Sequence, residues 1–139
     1  MFTISTEASF DAAHFLKGYN GKCHNLHGHR WRVVVFAQKE QLCEDEQNRG
    51  MVFDFSELKD VLKAMADDLD HSLIYETGSL KEKTVEALKE EDFRMNEVPF
   101  RPTAENFSKY FYDEITAKGY DVRRVDVYET PNNCASYEA

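Results

Sequence analysis

The sequence predicts an α+β fold in which helices pack against one face of a small sheet. Three observations predict it. Residues 2–10 and 30–38 alternate apolar and polar side chains, as half-buried strands do. Residues 56–69 carry apolar side chains at helical spacing. Residues 121–129 return to strand alternation, so helices separate two early strands from a late one.

The two early strands are the clearest extended segments. In residues 2–10 one parity is apolar, namely Phe2, Ile4, Ala8 and Phe10. In residues 30–38 the apolar set is Trp31, Val33, Val35 and Ala37. Residues 11–29 form the connection between them. The polar stretch 39–50 predicts a loop, and residues 52–55 a short extended piece.

The helices follow. The first spans 56–69, with Asp54 and Glu57 spaced as a capping pair. Residues 79–91 predict a more exposed helix. A third helix begins at Thr103 and ends near Gly119; its apolar positions are Phe107, Phe111 and Ile115. No linker or repeat interrupts the chain, so we expect one domain over residues 1–139.

Composition excludes several functional classes. The 139 residues include 17 basic and 26 acidic side chains, a net charge of −9. This charge disfavours a general nucleic-acid or anionic-membrane binder, which needs clustered cations. No apolar run approaches the roughly 20 residues that span a bilayer. An odd cysteine count and the absence of an export signal predict a cytoplasmic protein with reduced thiols.

Histidines carry the strongest chemical signal. Four of the five lie between positions 14 and 29. If the second strand extends back to His27, then His27 and His29 share one face, and His14 ends the neighbouring strand. Three imidazoles with an open fourth position are typical of a catalytic zinc site. Solvated histidines at a strand end are the alternative.

Other side chains allow more than one interpretation each. Cys23 is a fourth metal ligand, a reactive thiol or an inert cysteine. Asp70 and His71 form a proton-transfer pair or an acidic helix end. Glu129, on an apolar strand face, binds a guanidine-like edge or emerges into solvent. Cys43 and Cys134 lack comparable neighbours and are left without a role.

Thr103 and Glu105 open the third helix. By itself, Thr103 is suited to cap the helix. Glu105 places a negative charge near the positive end of the helix dipole. Residue chemistry alone therefore assigns them no function.

The chain resembles the 6-pyruvoyltetrahydropterin synthase / 6-carboxytetrahydropterin synthase family along nearly its whole length. The matching segments are FDAAH at 10–14, CHNLHGH at 23–29, DFSELK at 54–59, LDH at 69–71, RPTAEN at 101–106 and YETPNNCASY at 128–137. The charged segment between His71 and Pro102 departs from compact members of the family.

The resemblance implies a role for each candidate. His14, His27 and His29 would bind zinc, and Cys23 would be the thiolate general base. Asp70 and His71 would complete the proton relay. Glu129 would hold the 2-amino-pyrimidinone edge of a pterin. The same resemblance places Thr103 and Glu105 near the pterin pocket.

The implied architecture is the tunnelling fold, a four-stranded antiparallel sheet with helices on one face. Members assemble into trimeric barrels, commonly paired as hexamers, with active sites between subunits. We therefore expect a homo-oligomer that binds a small pterin and neither nucleic acid nor membrane.

The implied reaction is a zinc-dependent lyase step on 7,8-dihydroneopterin triphosphate. The favoured branch forms 6-carboxytetrahydropterin, acetaldehyde and triphosphate, on the way to queuosine. The alternatives are a 6-pyruvoyl product, towards tetrahydrobiopterin, and a non-catalytic zinc-binding assembly module. Because the net charge is acidic, local cations should receive the triphosphate; the candidates are Lys17, Lys22 and Arg30.

Overall fold

A computed structural model describes all of residues 1–139 as a helix-covered sheet. The strands are β1 (Phe2–His14), β2 (His27–Lys39), β3 (Ser72–Glu76), β4 (Met95–Val98), β5 (Val122–Thr130) and β6 (Asn133–Tyr137). The helices are α1 (Phe55–Leu69), α2 (Glu82–Glu90) and α3 (Ala104–Ala117), with one 3₁₀ turn at Lys22–His24. None of these helices is both long and apolar enough to cross a membrane.

The sheet has six strands in the order β4-β3-β1-β2-β5-β6, so the expected four-stranded sheet is wrong. It is also mixed, because β3 lies parallel to both β1 and β4. The antiparallel part is β1, β2, β5 and β6. The three strands that the sequence did not predict, β3, β4 and β6, have four or five residues each. Such short segments carry too little alternation to predict a strand, and backbone pairing with their neighbours defines them.

The central β1–β2 pair is longer than the sequence indicated. Both strands have 13 residues and pair in register from Phe2 opposite Lys39 to His14 opposite His27. The extension of β2 back to His27 is therefore confirmed. Residues 52–55, in contrast, form no strand: Val52 and Phe53 lie in a bend before α1.

The core lies between one face of the sheet and helices α1 and α3. Phe10, Trp31 and Phe107 are at most 1% exposed and pack together, with the Phe10 and Trp31 ring centroids 6.1 Å apart. Complete burial of such a side chain contributes about 1.5–3 kcal/mol. By comparison, α2 has no buried residue. The two packed helices thus fix the sheet from which the histidines project.

Capping residues set where the packed helices begin. The Asp54 carboxylate accepts a hydrogen bond from the Ser56 N–H (2.8 Å), which confirms the predicted cap of α1. The Thr103 hydroxyl accepts one from the Asn106 N–H (3.2 Å) at the start of α3. At the other end of α3, Gly119 has a φ of +100°, which favours glycine.

Candidate active site

Three histidines converge at one end of the β1–β2 pair. His14 lies opposite His27, and His29 is two residues further along the same face of β2. The Nε2 atoms of His14 and His27 are 3.1 Å apart. One ring nitrogen from each of the three residues lies within 4.8 Å of the others. The cluster contacts Trp31, so it borders the hydrophobic core.

Backbone carbonyls fix the tautomers of two of these rings. The His14 Nδ1–H donates to the Pro102 carbonyl (2.7 Å), and the His27 Nδ1–H donates to the Asn25 carbonyl (2.6 Å). A carbonyl is only an acceptor, so each Nδ1 carries the proton and each neutral ring has a bare Nε2. With both rings neutral, the two Nε2 lone pairs therefore face each other. A bound cation resolves that repulsion, and these residues fit a metal.

Burial favours the neutral form of two of these rings, His14 and His29. The His14 side chain is only 1% exposed, and burial, opposed in part by the Pro102 contact, lowers its pKa to about 4. Burial also lowers the pKa of His29, although the Glu129 carboxylate opposes this shift. The His29 Nε2 is buried and has no hydrogen-bond partner. Neutral imidazoles with free lone pairs are the form that binds a transition metal.

Glu129 reaches the same point from β5. Its Oε1 lies 3.4 Å from the His14 Nε2 and 3.6 Å from the His29 Nε2. Its side chain is one-third exposed. Of the two interpretations, a strand end in open solvent therefore does not describe it: the carboxylate lies beside the nitrogen atoms that a metal would bind.

The Asp70–His71 pair belongs to a second polar group, which also includes Asp11. The Asp70 carboxylate accepts hydrogen bonds from the Asp11 backbone N–H (2.8 Å) and from the His71 Nδ1–H (2.7 Å). The hydrogen bond from the Asp11 N–H lowers the pKa of Asp70 most, and the hydrogen bond from His71 lowers it further. The Asp70 hydrogen bond raises the pKa of His71, so this imidazole holds its proton more strongly. The pair has the geometry of a proton donor and its orienting carboxylate.

The backbone at His71 is unusual. Its φ is +53°, in the left-handed region that side chains with a Cβ rarely adopt. The His71 N–H donates to the Asp11 carbonyl (2.6 Å), and Arg94 donates to the Asp70 carbonyl (2.9 Å). These contacts hold a conformation that costs of order 1–3 kcal/mol. Such strain is typical of residues whose direction matters for function.

The ligand atoms of these two groups do not converge on one point within the chain. Asp11, Asp70 and His71 form one group of candidate ligand atoms, and the three clustered histidines form another. Asp11 and His14 are three residues apart on β1, about 10 Å, and point to opposite faces. His71 lines a groove of about 700 Å³ with Arg30, Arg94 and one member of the cluster, His29.

Cys23 stays outside both groups. It lies half-buried in the 3₁₀ turn between β1 and β2, where its carbonyl accepts from the Leu16 N–H (3.0 Å). A closed site of three histidines and Cys23 is therefore absent from this chain. Cys43 and Cys134 are also free thiols away from the cluster.

Thr103 and Glu105 are connected to the histidine cluster through the backbone of a neighbouring residue. Pro102, whose carbonyl orients His14, immediately precedes Thr103. Thr103 caps α3, and Glu105 is exposed in its first turn. The structure therefore gives Thr103 a structural role and leaves the Glu105 carboxylate open to solvent.

Comparison with known proteins decides the family. The model of the family described as 6-pyruvoyl tetrahydropterin synthase matches residues 3–139. The chain belongs to the 6-pyruvoyl tetrahydropterin synthase family.

Curated relatives in this family are named as synthases. The chain is 34% identical over 141 residues to a 6-carboxy-5,6,7,8-tetrahydropterin synthase of Haemophilus influenzae, covering 99% of both chains. It is 32% identical to the protein of that name from Rickettsia bellii, covering 95% of this chain and 96% of the relative.

Solved structures share the fold. An uncharacterized protein of Wolinella succinogenes matches with a TM-score of 0.78 and 21% identity, covering 99% of this chain and 97% of that one. The 6-pyruvoyl tetrahydropterin synthase of Caenorhabditis elegans matches with a TM-score of 0.68 and 26% identity, covering 99% and 95%.

Sequence reasoning missed the groups that orient the site in this family member. The carbonyls of Asn25 and Pro102 fix two imidazoles, and the backbone of Asp11 fixes Asp70. A backbone carbonyl or N–H belongs to almost any residue, so the sequence offers no signal for it. Arg94 was missed as well, because the strand that follows it was not predicted.

Proposed function

We propose that this chain is a zinc-dependent 6-carboxy-5,6,7,8-tetrahydropterin synthase. Its substrates would be 7,8-dihydroneopterin triphosphate and water, and its products 6-carboxytetrahydropterin, acetaldehyde and triphosphate. The names of its curated relatives support this activity. The observation that carries the metal dependence is the close approach of the His14 and His27 Nε2 atoms, 3.1 Å apart, while each Nδ1 faces a backbone carbonyl. As a carbon–oxygen and carbon–carbon lyase, it would supply the queuosine pathway.

The residues have distinct roles in this proposal. His14, His27 and His29 hold the zinc, which acts as a Lewis acid when bound. Cys23 accepts a proton from the substrate side chain as a thiolate. Asp70 orients His71, which donates or accepts a proton at its free ring nitrogen. Glu129 binds the two N–H groups of the pterin's amino-pyrimidinone edge, and Thr103 and Glu105 border the same pocket.

The active form would be a homo-oligomer, a trimer or a pair of trimers, with sites between subunits. The separation of His71 from the histidine cluster supports this, because one chain does not assemble both groups. The groove beside His71 also exposes Leu26 and Phe93, which are 65% and 59% exposed and could contact another copy. The free thiols fit a reducing compartment, so we propose the cytoplasm.

Product analysis by mass spectrometry tests the reaction. Zinc-loaded protein incubated with 7,8-dihydroneopterin triphosphate should release 6-carboxytetrahydropterin and acetaldehyde. A 6-pyruvoyl product would support the alternative that the name of the C. elegans structure suggests. No turnover with zinc bound would contradict both.

Replacement of Cys23 by Ala separates an enzyme from a zinc-binding assembly module. Because the thiol lies outside the histidine cluster, the variant should retain zinc at wild-type stoichiometry. Its turnover should fall by at least about a hundredfold, because a general base contributes at least that factor to the rate. Cys134→Ala, at an exposed thiol, is the matched control. Equal turnover of both variants would favour the module.

A further inference from the structure

The position of Glu129 conflicts with a role confined to the pterin. Its Oε1 is 3.4 Å from the His14 Nε2 and 3.6 Å from the His29 Nε2. A tetrahedral zinc site with bonds of 2.0–2.2 Å places its ligand atoms about 3.3–3.6 Å from one another. The carboxylate therefore lies at ligand spacing from two of the three imidazoles. It approaches from the side of His14 and His29, away from His27, and does not join the compact three-nitrogen group.

One carboxylate does not serve both ligands at once. The amino edge of a pterin and the carbon that carries its side chain lie at opposite ends of a fused two-ring system. When the side chain is at the metal, the amino edge is a full ring system away. A carboxylate in contact with the metal-binding nitrogens must therefore move before it binds that edge.

The surroundings of Glu129 allow such a move. Pairing between β2 and β5 ends at Arg32 opposite Tyr128, one residue before Glu129. Pairing between β5 and β6 is irregular between Tyr128 and Thr130, which brackets it. Irregular strand positions next to active sites re-aim side chains. Glu129 also borders a cavity of about 310 Å³, and its side chain is 32% exposed.

We propose that Glu129 is an exchangeable metal ligand. Without pterin, its carboxylate closes the metal site beside His14 and His29; when pterin enters, it leaves the metal and binds the amino-pyrimidinone edge. This inference rests on the proposed function and extends it. A shared ligand makes the two binding events antagonistic, and by linkage each ligand weakens the other by the same factor.

The test uses Co²⁺ as a spectroscopic metal and pterin without a side chain as the probe. Pterin should change the visible spectrum of the Co²⁺ protein, although it carries no side-chain hydroxyl. It should also weaken Co²⁺ affinity by tenfold or more, and Co²⁺ should weaken pterin affinity equally. If pterin binds, yet leaves the spectrum and the Co²⁺ affinity unchanged, Glu129 is not a metal ligand.

Glu129→Gln supplies an independent measurement. Loss of a group that only hydrogen-bonds a metal ligand weakens metal binding by roughly 10–100-fold. The Co²⁺ affinity of this variant should fall by at least that factor. Its spectrum should match that of the pterin-saturated wild type. Glu97→Gln removes one exposed carboxylate of β4 and should match wild type in both respects. Co²⁺ affinity and spectrum identical to wild type in Glu129→Gln would overturn the proposal.

The outcomes distinguish this proposal from the proposed function. If wild-type protein binds no metal, the proposed function fails at its metal site. If it binds metal and forms the expected product, but metal and pterin bind independently, only the exchange at Glu129 fails. Measurements on wild type alone give this answer, so a variant that folds poorly does not obscure it.

Discussion

At the scale of single residues, hydrogen bonds to backbone groups decide what each imidazole does. His14 and His27 donate to carbonyls and present bare nitrogens to each other. His71 donates to the Asp70 carboxylate, which raises its pKa. These contacts suit two of the rings to metal binding and the third to the proposed transfer of a proton. The difference comes from the partner of Nδ1, a neutral carbonyl in one case and an anion in the other.

The first prediction concerns the titration of His71. Asp70→Asn should lower the pKa of His71 towards its ordinary value, because the variant lacks the carboxylate that favours the charged ring. Since the folded pKa is raised, the pair stabilises the fold fully below the ordinary histidine pKa of about 6.5. That stabilisation disappears as the pH rises through the raised pKa. NMR titration of the His71 ring measures the shift.

Asp67→Asn is the matched control, because this α1 carboxylate pairs with Lys63. It should leave the titration of His71 unchanged. Superimposable His71 curves for wild type and Asp70→Asn would contradict the prediction.

At the scale of elements, the start of α3 connects helix capping to the candidate metal site. The Thr103 hydroxyl caps the helix, and the preceding Pro102 carbonyl orients His14. The Arg101 carbonyl accepts hydrogen bonds from the Thr103 N–H and the Asn106 side chain, which holds the segment in place. A change at the cap should therefore reach the metal through the backbone.

Thr103→Ala tests this connection. Loss of the cap should cost about 1 kcal/mol of the free energy of unfolding, and loosening of the Pro102 carbonyl should weaken metal affinity severalfold. Thr103→Ser should restore both. Asp54→Ala, which removes the cap of α1, should lose similar stability with metal affinity unchanged. Denaturant unfolding and competition with a chelator measure the two quantities; equal metal affinity in the two alanine variants would contradict the connection.

The cations expected to receive the triphosphate belong to the β1–β2 connection and the start of β2. Arg30 pairs with Asp11 through one guanidinium nitrogen (3.0 Å), so its other donors stay available. Reversal of Lys17, Lys22 or Arg30 to Glu should raise KM for the triphosphate substrate severalfold, and added salt should reduce the effect.

Lys118→Glu, at the far end of α3, is the control for this charge change. Steady-state kinetics at low salt measures KM. An unchanged KM in all three reversals would contradict the assignment of these cations.

At the scale of the whole molecule, one chain carries two halves of the proposed machinery without joining them. The ring nitrogens of the histidine cluster and the ligand atoms of the His71 group form two separate groups. β3 pairs with β1 only at Ala12 and Ala13, so most of that edge of β1 is open. Open strand edges favour association with other copies. The proposed oligomer would bring the His71 group of one copy to the cluster of another.

Mixed assemblies test this arrangement. His29→Ala and His71→Ala should each be inactive alone. When the two variants are co-expressed, about a quarter of the wild-type activity per chain should return. Under random assembly, about a quarter of the shared sites combine an intact histidine cluster from one variant with an intact His71 from the other. Activity of tandem-tagged, purified mixed particles measures it. Mixed particles that contain both chains but show no activity would contradict a shared site.

Much of the fold and of the site could be predicted from this sequence. The alternation in β1 and β2, the periodicity of α1 and α3 and the cap at Asp54 were local signals that the structure confirms. The parity of His27 and His29 predicted their common face. In contrast, β3, β4 and β6 depend on neighbours distant in the sequence, so their few residues carried no sufficient signal.

The sequence by itself determined the residue types, their parity on the strands and the family. Only the tertiary structure decided that the Nε2 atoms of His14 and His27 approach each other, that Glu129 lies beside His14 and His29, and that His71 stays outside this group. The physical reason is that parity and period are local properties of a chain. Distances between ring nitrogens depend instead on strand register and on backbone carbonyls from remote segments, and these exist only once the chain has folded.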